Sequence, residues 1–402
     1  MSKSKLGVVL ASSILAVFLV VGSGISKSSA PNGDGAYRQL KVYEEVLARV
    51  RSDYVEEPDI KEATNGALHG LLESLDSFSS YLTPEEYQAY QKKSVQKGEV
   101  GLVVAKKFGY VSVITSLPGS SAAKAGIYSG DIIESIDDAS TREMSLEKVD
   151  SSLNGKPGSS VTLSVIRASR AEPQKITLKR DSLPTPAVFA KISEPGVGYI
   201  RIEAFPKGRA TEVVQHMQKL VSQGAKSLVL DVRNCAEGEE SEAVDLADVF
   251  LDHGLIGYLQ GQKVARQNFD AKPGKNKYTI PLVVLVNRGT AGPAELLAAA
   301  LKENGRAETI GERTYGVGSM QKIIALDDGS ALLLSVAKYY TPGGKAIQEN
   351  GITPGVQVAE SRQPREAVSD EDNPLPPAPE EKEPKEDLIL RKALDILRGI
   401  KS

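Results

Sequence analysis

Hydrophobic positions along this chain change their spacing from region to region, and the spacing predicts the elements. An unbroken apolar run from Leu6 to Ile25 follows Lys3 and Lys5. It has the charged start and apolar centre of an export signal and about the length a membrane span requires. From Tyr37 the period becomes helical: Leu40, Tyr43, Val46, Leu47, Val50 and Tyr54 recur at three- and four-residue intervals, which is one face of an amphipathic helix. A second helix is predicted over "IKEATNGALHGLLESL", and Thr83 ahead of Pro84, Glu85 and Glu86 has the cap and first-turn chemistry of a third. Residues 36–97 are expected to form a helical lead packed on a neighbour.

At Gly98 the pattern shifts to short β-branched runs split by glycine and proline: "GLVVAKK", "YVSVITSL", "DIIESID" and "SVTLSVIR". Between them, Ser120 is placed to cap a short helix that Gly126 ends, and "SLEKVDSSL" reads as a further helix. This sets residues 98–182 apart as a β-rich domain. After the proline-rich connector "DSLPTPAVFAKISEPG", strands are predicted at "VGYIRIEAF", "SLVLDVRN" and "IPLVVLVN". They are interleaved with helices at "ATEVVQHMQKLVSQG", at "SEAVDLADVFL" and from Ala291 onward, and "AETIGE" and "ALLLSVAKYYTPGG" are expected to continue the alternation. Strands alternating with helices make crossover units on a mainly parallel sheet, so residues 183–360 form an α/β core. The stretch 361–387 is rich in proline and acid and reads as an extended, disordered linker. A helical stripe then returns at 388–402 and is expected to dock on the body. The fold class is multidomain α/β.

Composition narrows the chemistry. The 402 residues, 41% of them hydrophobic and 25% charged, supply enough apolar surface for two or three packed cores. A net charge of -3 offers no long-range attraction to a polyanion, so no nucleic-acid partner is expected. The single Cys235 rules out a disulfide within the chain, and His69, His216 and His253 lie far apart without ligand spacing. No metal site and no cofactor are therefore expected. Cys235, at a strand end, reads as a small buried side chain rather than a nucleophile. In the N-terminal segment 1–30, Gly22 and Gly24 suit a signal peptidase, whereas Pro31 follows Ala30 and no cysteine follows to take a lipid. A cleaved signal and a retained membrane anchor both fit, with retention favoured. Either one places the bulk of the protein outside the cytoplasm, on the envelope or periplasmic side.

The order strand, strand, short helix, strand, helix, strand from Gly98 resembles a PDZ domain of the bacterial, circularly permuted kind. In that resemblance Gly101, Leu102, Val103 and Val104 occupy the carboxylate-binding loop. Successive backbone N–H groups after a glycine can hold a terminal carboxylate while the peptide adds as a strand. Together with "LVLDVRN", "PLVVLVNRGTA", "GERTYGVGSMQ" and "AKYYTPGGKAIQENGITPGV", the chain from about Tyr37 to Val358 is similar to the carboxyl-terminal processing peptidases, also called tail-specific proteases. The resemblance implies a serine nucleophile in Thr-Ala-Ser-Ala-Ser-Glu, a lysine base in Phe-Gly-Lys-Gly, and a supporting glutamine four positions later. Here the first segment reads Thr290, Ala291, Gly292, Pro293, Ala294, Glu295, and the second Tyr315, Gly316, Val317, Gly318. The nucleophile position is thus Gly292 and the base position Val317, with Gln321 retained as the support residue. The family's Asn-Pro-Gly-Gly after "DVRN" is replaced by Cys235, Ala236, Glu237, Gly238, which puts an acid where negative charge would develop.

Acyl transfer needs an attacking atom and a proton acceptor, and glycine and valine supply neither. The leading expectation is an envelope pseudopeptidase. Its PDZ domain would bind C-terminal tails of envelope proteins, presenting them to an active paralogue, regulating it in a mixed oligomer, or acting as a homo-oligomer. The alternative is an active serine- or threonine-type endopeptidase with a displaced catalytic pair, drawn from Thr290 or Ser319 with Lys322 or Lys338. A third reading is a structural envelope protein that binds no peptide.

Overall fold

A computed structural model of the protein describes residues 33–92, 98–107, 109–167, 170–274, 278–360 and 386–400. The apolar run Leu6–Ile25 and all but the last residues of the expected linker fall outside the described residues. Among the described residues no helix is long and apolar enough to cross a membrane. The chain divides into a unit ending at Thr64 and a larger one from Asn65.

The first unit contains α1 (Gly33–Asp53). The stripe expected to pack on a neighbour is exposed at Leu40, Tyr43 and Val46. Backbone bonds and i,i+4 pairs such as Arg49–Asp53, 3.6 Å apart, act along the helix in place of burial. Next comes α2 (Ile60–Glu73).

In the larger unit, β1 (Ser80–Leu82) leads to α3 (Pro84–Lys92). Thr83 and Glu86 cap α3 reciprocally: the Glu86 N–H donates to Thr83 Oγ1 at 3.2 Å and the Thr83 N–H to Glu86 Oε2 at 3.1 Å. The β-rich domain follows as β2 (Leu102–Lys107), β3 (Tyr110–Ser116), α4 (Ser121–Lys124), β4 (Ile132–Ile136), β5 (Ala139–Ser140), α5 (Leu146–Leu153), β6 (Ser160–Arg167) and β7 (Arg170–Lys179). Its antiparallel sheet runs β2-β3-β4-β6-β7, with β5 on β4, so β2 is an edge strand. Ser120 and Ser145 cap α4 and α5 through the N–H groups of Ala123 and Lys148, each at 3.1 Å. Val111, Val113, Ile133, Leu163 and Val165 bury against Val149 and Leu153 of α5.

The core is built from β8 (Phe189–Glu194), β9 (Val197–Arg201), α6 (Arg209–Ser222), β10 (Ser227–Asp231), α7 (Glu240–Phe250), β13 (Leu282–Val286), α8 (Pro293–Glu303), β14 (Glu308–Gly311), β17 (Val356–Gln357) and α9 (Leu388–Ile400), with β11 (Leu255–Gln260), β12 (Gln267–Asp270), β15 (Ser319–Ala325) and β16 (Ala331–Tyr340) beside it. The main sheet has the order β17-β14-β13-β10-β9-β8 and is parallel except at β8. Strand alternation decides its two faces. Leu228, Leu230, Val284 and Val286 pack against α6, α7 and α8, whereas Val229, Val283 and Leu285 meet Ile389, Ala393 and Leu397 of α9. Each large aliphatic side chain so buried contributes about 1.5–3 kcal/mol, which stabilises a 13-residue helix that would be marginal alone.

One expectation needs changing. "ALLLSVAKYYTPGG" does not extend the parallel sheet. It forms β16 of a second, antiparallel sheet, order β1-β16-β11-β12, with β15 paired to β16. The reason is local: only the short turn from Leu326 to Ser330 separates β15 from β16, where the Leu326 N–H donates to Ser330 O at 2.9 Å. No helix intervenes, so no parallel crossover forms.

Candidate active site

Strands β10 and β13 are neighbours in the parallel sheet, which sets the loops after their C-terminal ends side by side. The Ala291 N–H donates to Cys235 O at 2.9 Å. Asn287 Oδ1 accepts from the Asn234 N–H at 2.9 Å, while its Nδ2 donates to Asn234 Oδ1 at 2.9 Å. Thr290 is fully buried within this knot. Its hydroxyl accepts from the Asn287 N–H at 3.0 Å and donates to Val232 O at 2.9 Å.

The turn then passes through Gly292 at φ 54° and ψ -120°, a conformation that favours glycine. An added Cβ there would lie 3.8 Å from Ala236 O and 4.0 Å from Val317 O. The folded chain therefore brings positions 292 and 317 together and leaves ordinary van der Waals room for a side chain at 292. Pro293 opens α8, which is buried from Pro293 to Leu301. As a proline it offers no N–H.

Glu295 fastens these loops to the helix. One carboxylate oxygen accepts from the Gly292 N–H at 2.9 Å and the Val317 N–H at 2.8 Å. The other accepts from the Gly316 N–H at 2.8 Å and from the Thr314 hydroxyl. Burial pushes this carboxyl up to about 7, against the opposing pull of those four donors. With its folded value raised above 4.5, the group's stabilising contribution is complete below pH 4.5 and is lost as pH rises through about 7. Urea unfolding between pH 4.5 and 7 is expected to show that decline in the wild type and a shallower one in Glu295→Gln. The variant turns an amide NH₂ towards two donors, at a cost of about 1–3 kcal/mol for each donor left unpaired.

Around position 317 the surroundings are apolar. Val317 and Tyr315 pack with Phe78, Ala105, Ile114 and Ala291, joined by Val103, Leu146 and Ala236. Strand β2 thus presents Val103 and Ala105 to the core, while Leu102 and Val104 turn into their own domain. Tyr315 hydrogen-bonds Ser112, and burial pushes its phenol up to about 12. Gln321 is exposed, and its Nε2 donates to the carbonyl oxygen of Phe78, a neighbour of Val317, at 2.5 Å. Cys235 is fully buried, which pushes its thiol up. Desolvation, followed by the charges of Glu99 and Asp150, raises the Glu237 carboxyl although its side chain reaches solvent. At the edge of the β-rich domain, Gly101 has φ 76°, and an added Cβ would lie 2.2 Å from Ser120 Cβ.

Comparisons with known proteins place the chain in a family. Residues 196–358 match the description "Peptidase family S41" and residues 113–167 match "PDZ domain". A carboxy-terminal-processing protease of Bartonella bacilliformis is 33% identical over 361 residues, spanning 85% of this chain and 82% of that one. The chain belongs to peptidase family S41. Another relative in the family, the carboxy-terminal processing protease CtpA of Bacillus subtilis, is 32% identical over 86% of this chain and 74% of its own. The solved photosystem II D1 C-terminal processing protease superposes with a TM-score of 0.67 at 28% identity, covering 79% of this chain and 92% of that one. Three S41-site features escaped the sequence reading: the four-donor carboxyl of Glu295, the N–H that Pro293 lacks beside position 292, and the second face of β2. The first two residues are visible in the sequence. Their meaning comes only from the turn they share.

Proposed function

We propose that this S41 member is a catalytically silent tail-binding protein of the cell envelope. It captures exposed protein C-termini on the edge of β2, with the N–H groups following Gly101 receiving the carboxylate. It hands the tails to an active paralogue or regulates one. The observation that carries the reading is the adjacency of Gly292 and Val317, with Val317 O only 4.0 Å from where a Cβ at 292 would stand. The two positions for attack and proton transfer meet, and neither holds a reactive atom. The Thr290 hydroxyl, committed to Val232 O and the Asn287 N–H, supports the same reading. The export-like run Leu6–Ile25 supports the envelope location.

The test uses the purified protein, an unfolded protein as substrate, and peptides ending in an apolar residue with a free or amidated carboxyl. No sustained turnover is expected. Free-carboxyl peptides are expected to bind, and amidation or Leu102→Asp weakens them by roughly tenfold or more, in keeping with a lost charge-assisted hydrogen bond. One pairing favours the rival endopeptidase: Ser319 stands directly opposite Lys338 in the β15–β16 register. Turnover abolished by Ser319→Ala or Thr290→Ala would establish that rival. Binding indifferent to the carboxyl would remove the PDZ assignment of function.

A further inference from the structure

The apolar stripe of α1 faces water along much of its length: Leu40 is 62% exposed and Val46 55%, with Tyr43 and Tyr54 open beside them. At about 100° per residue, Leu40, Tyr43, Val46, Leu47, Val50 and Tyr54 fill one arc of roughly 120°. Arg38, Lys41, Glu45 and Ser52 lie on the opposite side. Exposed apolar surface of this kind, set against a polar face, marks an interaction surface.

What covers it follows from the chain just before it. The apolar run Leu6–Ile25 is separated from α1, which begins at Gly33, by residues 26–32 alone. A tether that short reaches at most about 25 Å in any conformation. With the run held in a bilayer, the start of α1 stays within that distance of the headgroups. The stripe also has the chemistry of such a surface. A dry seam between two helices strands tyrosine hydroxyls, whereas the headgroup layer hydrates the hydroxyl and takes up the ring. Charge does not oppose the contact, because the four acidic and four basic side chains of α1 balance.

We infer that α1 lies along the membrane surface, its apolar stripe sunk into the boundary between headgroups and acyl chains of the bilayer that holds Leu6–Ile25. Lipid is the partner. This placement rests on the envelope location proposed above and is independent of whether the protein binds tails. The tether makes the contact effectively intramolecular, so a helix only moderately amphipathic stays on the surface without binding tightly from solution.

The chain contains no tryptophan, so a single introduced indole reports its own surroundings. Tyr43→Trp puts it in the stripe and Glu45→Trp on the opposite face at nearly the same height, both at exposed sites. Each full-length variant is reconstituted into phosphatidylcholine vesicles with plain or brominated acyl chains and recovered by flotation. The Tyr43→Trp emission is expected to shift to the blue on reconstitution, and brominated lipid should quench it severalfold more than that of Glu45→Trp, which acrylamide in the water quenches instead. Adding Leu40→Asp to Tyr43→Trp is expected to return the emission towards the red while flotation persists, because the apolar run is untouched. A chain that floats while the Tyr43→Trp indole stays open to acrylamide would overturn the placement of α1 and leave the envelope location standing. An indole shielded from both quenchers would overturn it as well, since a second copy or another part of the protein then covers the stripe. A chain that does not float removes the anchored location itself, and the placement with it.

Discussion

Gly292→Ser with Val317→Lys is expected to cleave an unfolded protein about 100-fold or more slowly than the same pair combined with Pro293→Ala. Room is not the obstacle, because an added Cβ at 292 meets its nearest atoms at 3.8 and 4.0 Å. The backbone at φ 54° and ψ -120° makes a non-glycine residue there cost on the order of 1–3 kcal/mol, a cost that a rigid turn held by Glu295 can sustain. The obstacle is the oxyanion. At a strand-to-helix nucleophile turn, the N–H of the next residue is one of the donors that hold the developing charge, and Pro293 has none. Removing one such donor typically costs about 10²–10³ in rate, so restoring the serine and lysine alone leaves the transition state short of a partner. Initial rates of the double and triple variants decide the matter. Equal rates would show that the Pro293 position is not a donor site.

Arg233→Ala is expected to destabilise the larger unit by about 3–5 kcal/mol, the usual result of stranding one member of a buried ion pair. Arg233 Nη2 donates to Asp231 Oδ2 at 2.6 Å and to Asp387 Oδ2 at 2.8 Å, and Nε to Asp231 Oδ1 at 3.0 Å. Asp231 is fully buried and also accepts from the Tyr199 hydroxyl at 2.6 Å. Burial alone would raise its carboxyl, but Arg233, assisted by Arg201 and Tyr199, holds it below the usual range. Its contribution is therefore present above the unfolded value of 3.8 and disappears as pH falls through the lower folded value. Asp387 also caps α9, accepting from the Leu390 N–H at 3.0 Å. The variant should thus show faster amide exchange in Leu388–Ile400 together with a lower urea midpoint. Asp387→Asn should free α9 while costing much less, because its carboxylate is only partly buried.

Elements whose determinants lie within a few residues were readable in advance. The cap and first turn at Thr83 to Glu86, the cap at Ser120, and the continuous apolar runs of β10 and β13 all depend on local spacing. The second sheet was not readable, since β1 pairs with β16 across some 250 residues of chain, Ser80 opposite Leu333, and nothing in "SYL" specifies that partner. Alternation does predict that Val103 and Leu102 face opposite ways. It is silent on the fact that both faces are covered, one by the strand's own domain and the other by the core. At the candidate site, 292 and 317 were singled out because they sit in recognisable segments. The role of Glu295 was not, because three of its four donors come from the separate stretch Thr314 to Val317, which only the fold brings to the helix.

Gly101 and Gly292 share a positive φ but differ in what surrounds them. A methyl group at 101 would lie 2.2 Å from Ser120 Cβ and 2.9 Å from Leu183 Cδ1, whereas at 292 nothing comes closer than 3.8 Å. A side chain at 292 therefore meets backbone strain alone, whereas one at 101 meets strain and a clash together. Orthologues that vary freely at 292 while never varying at 101 would mark a lineage in which grasping outlived cutting.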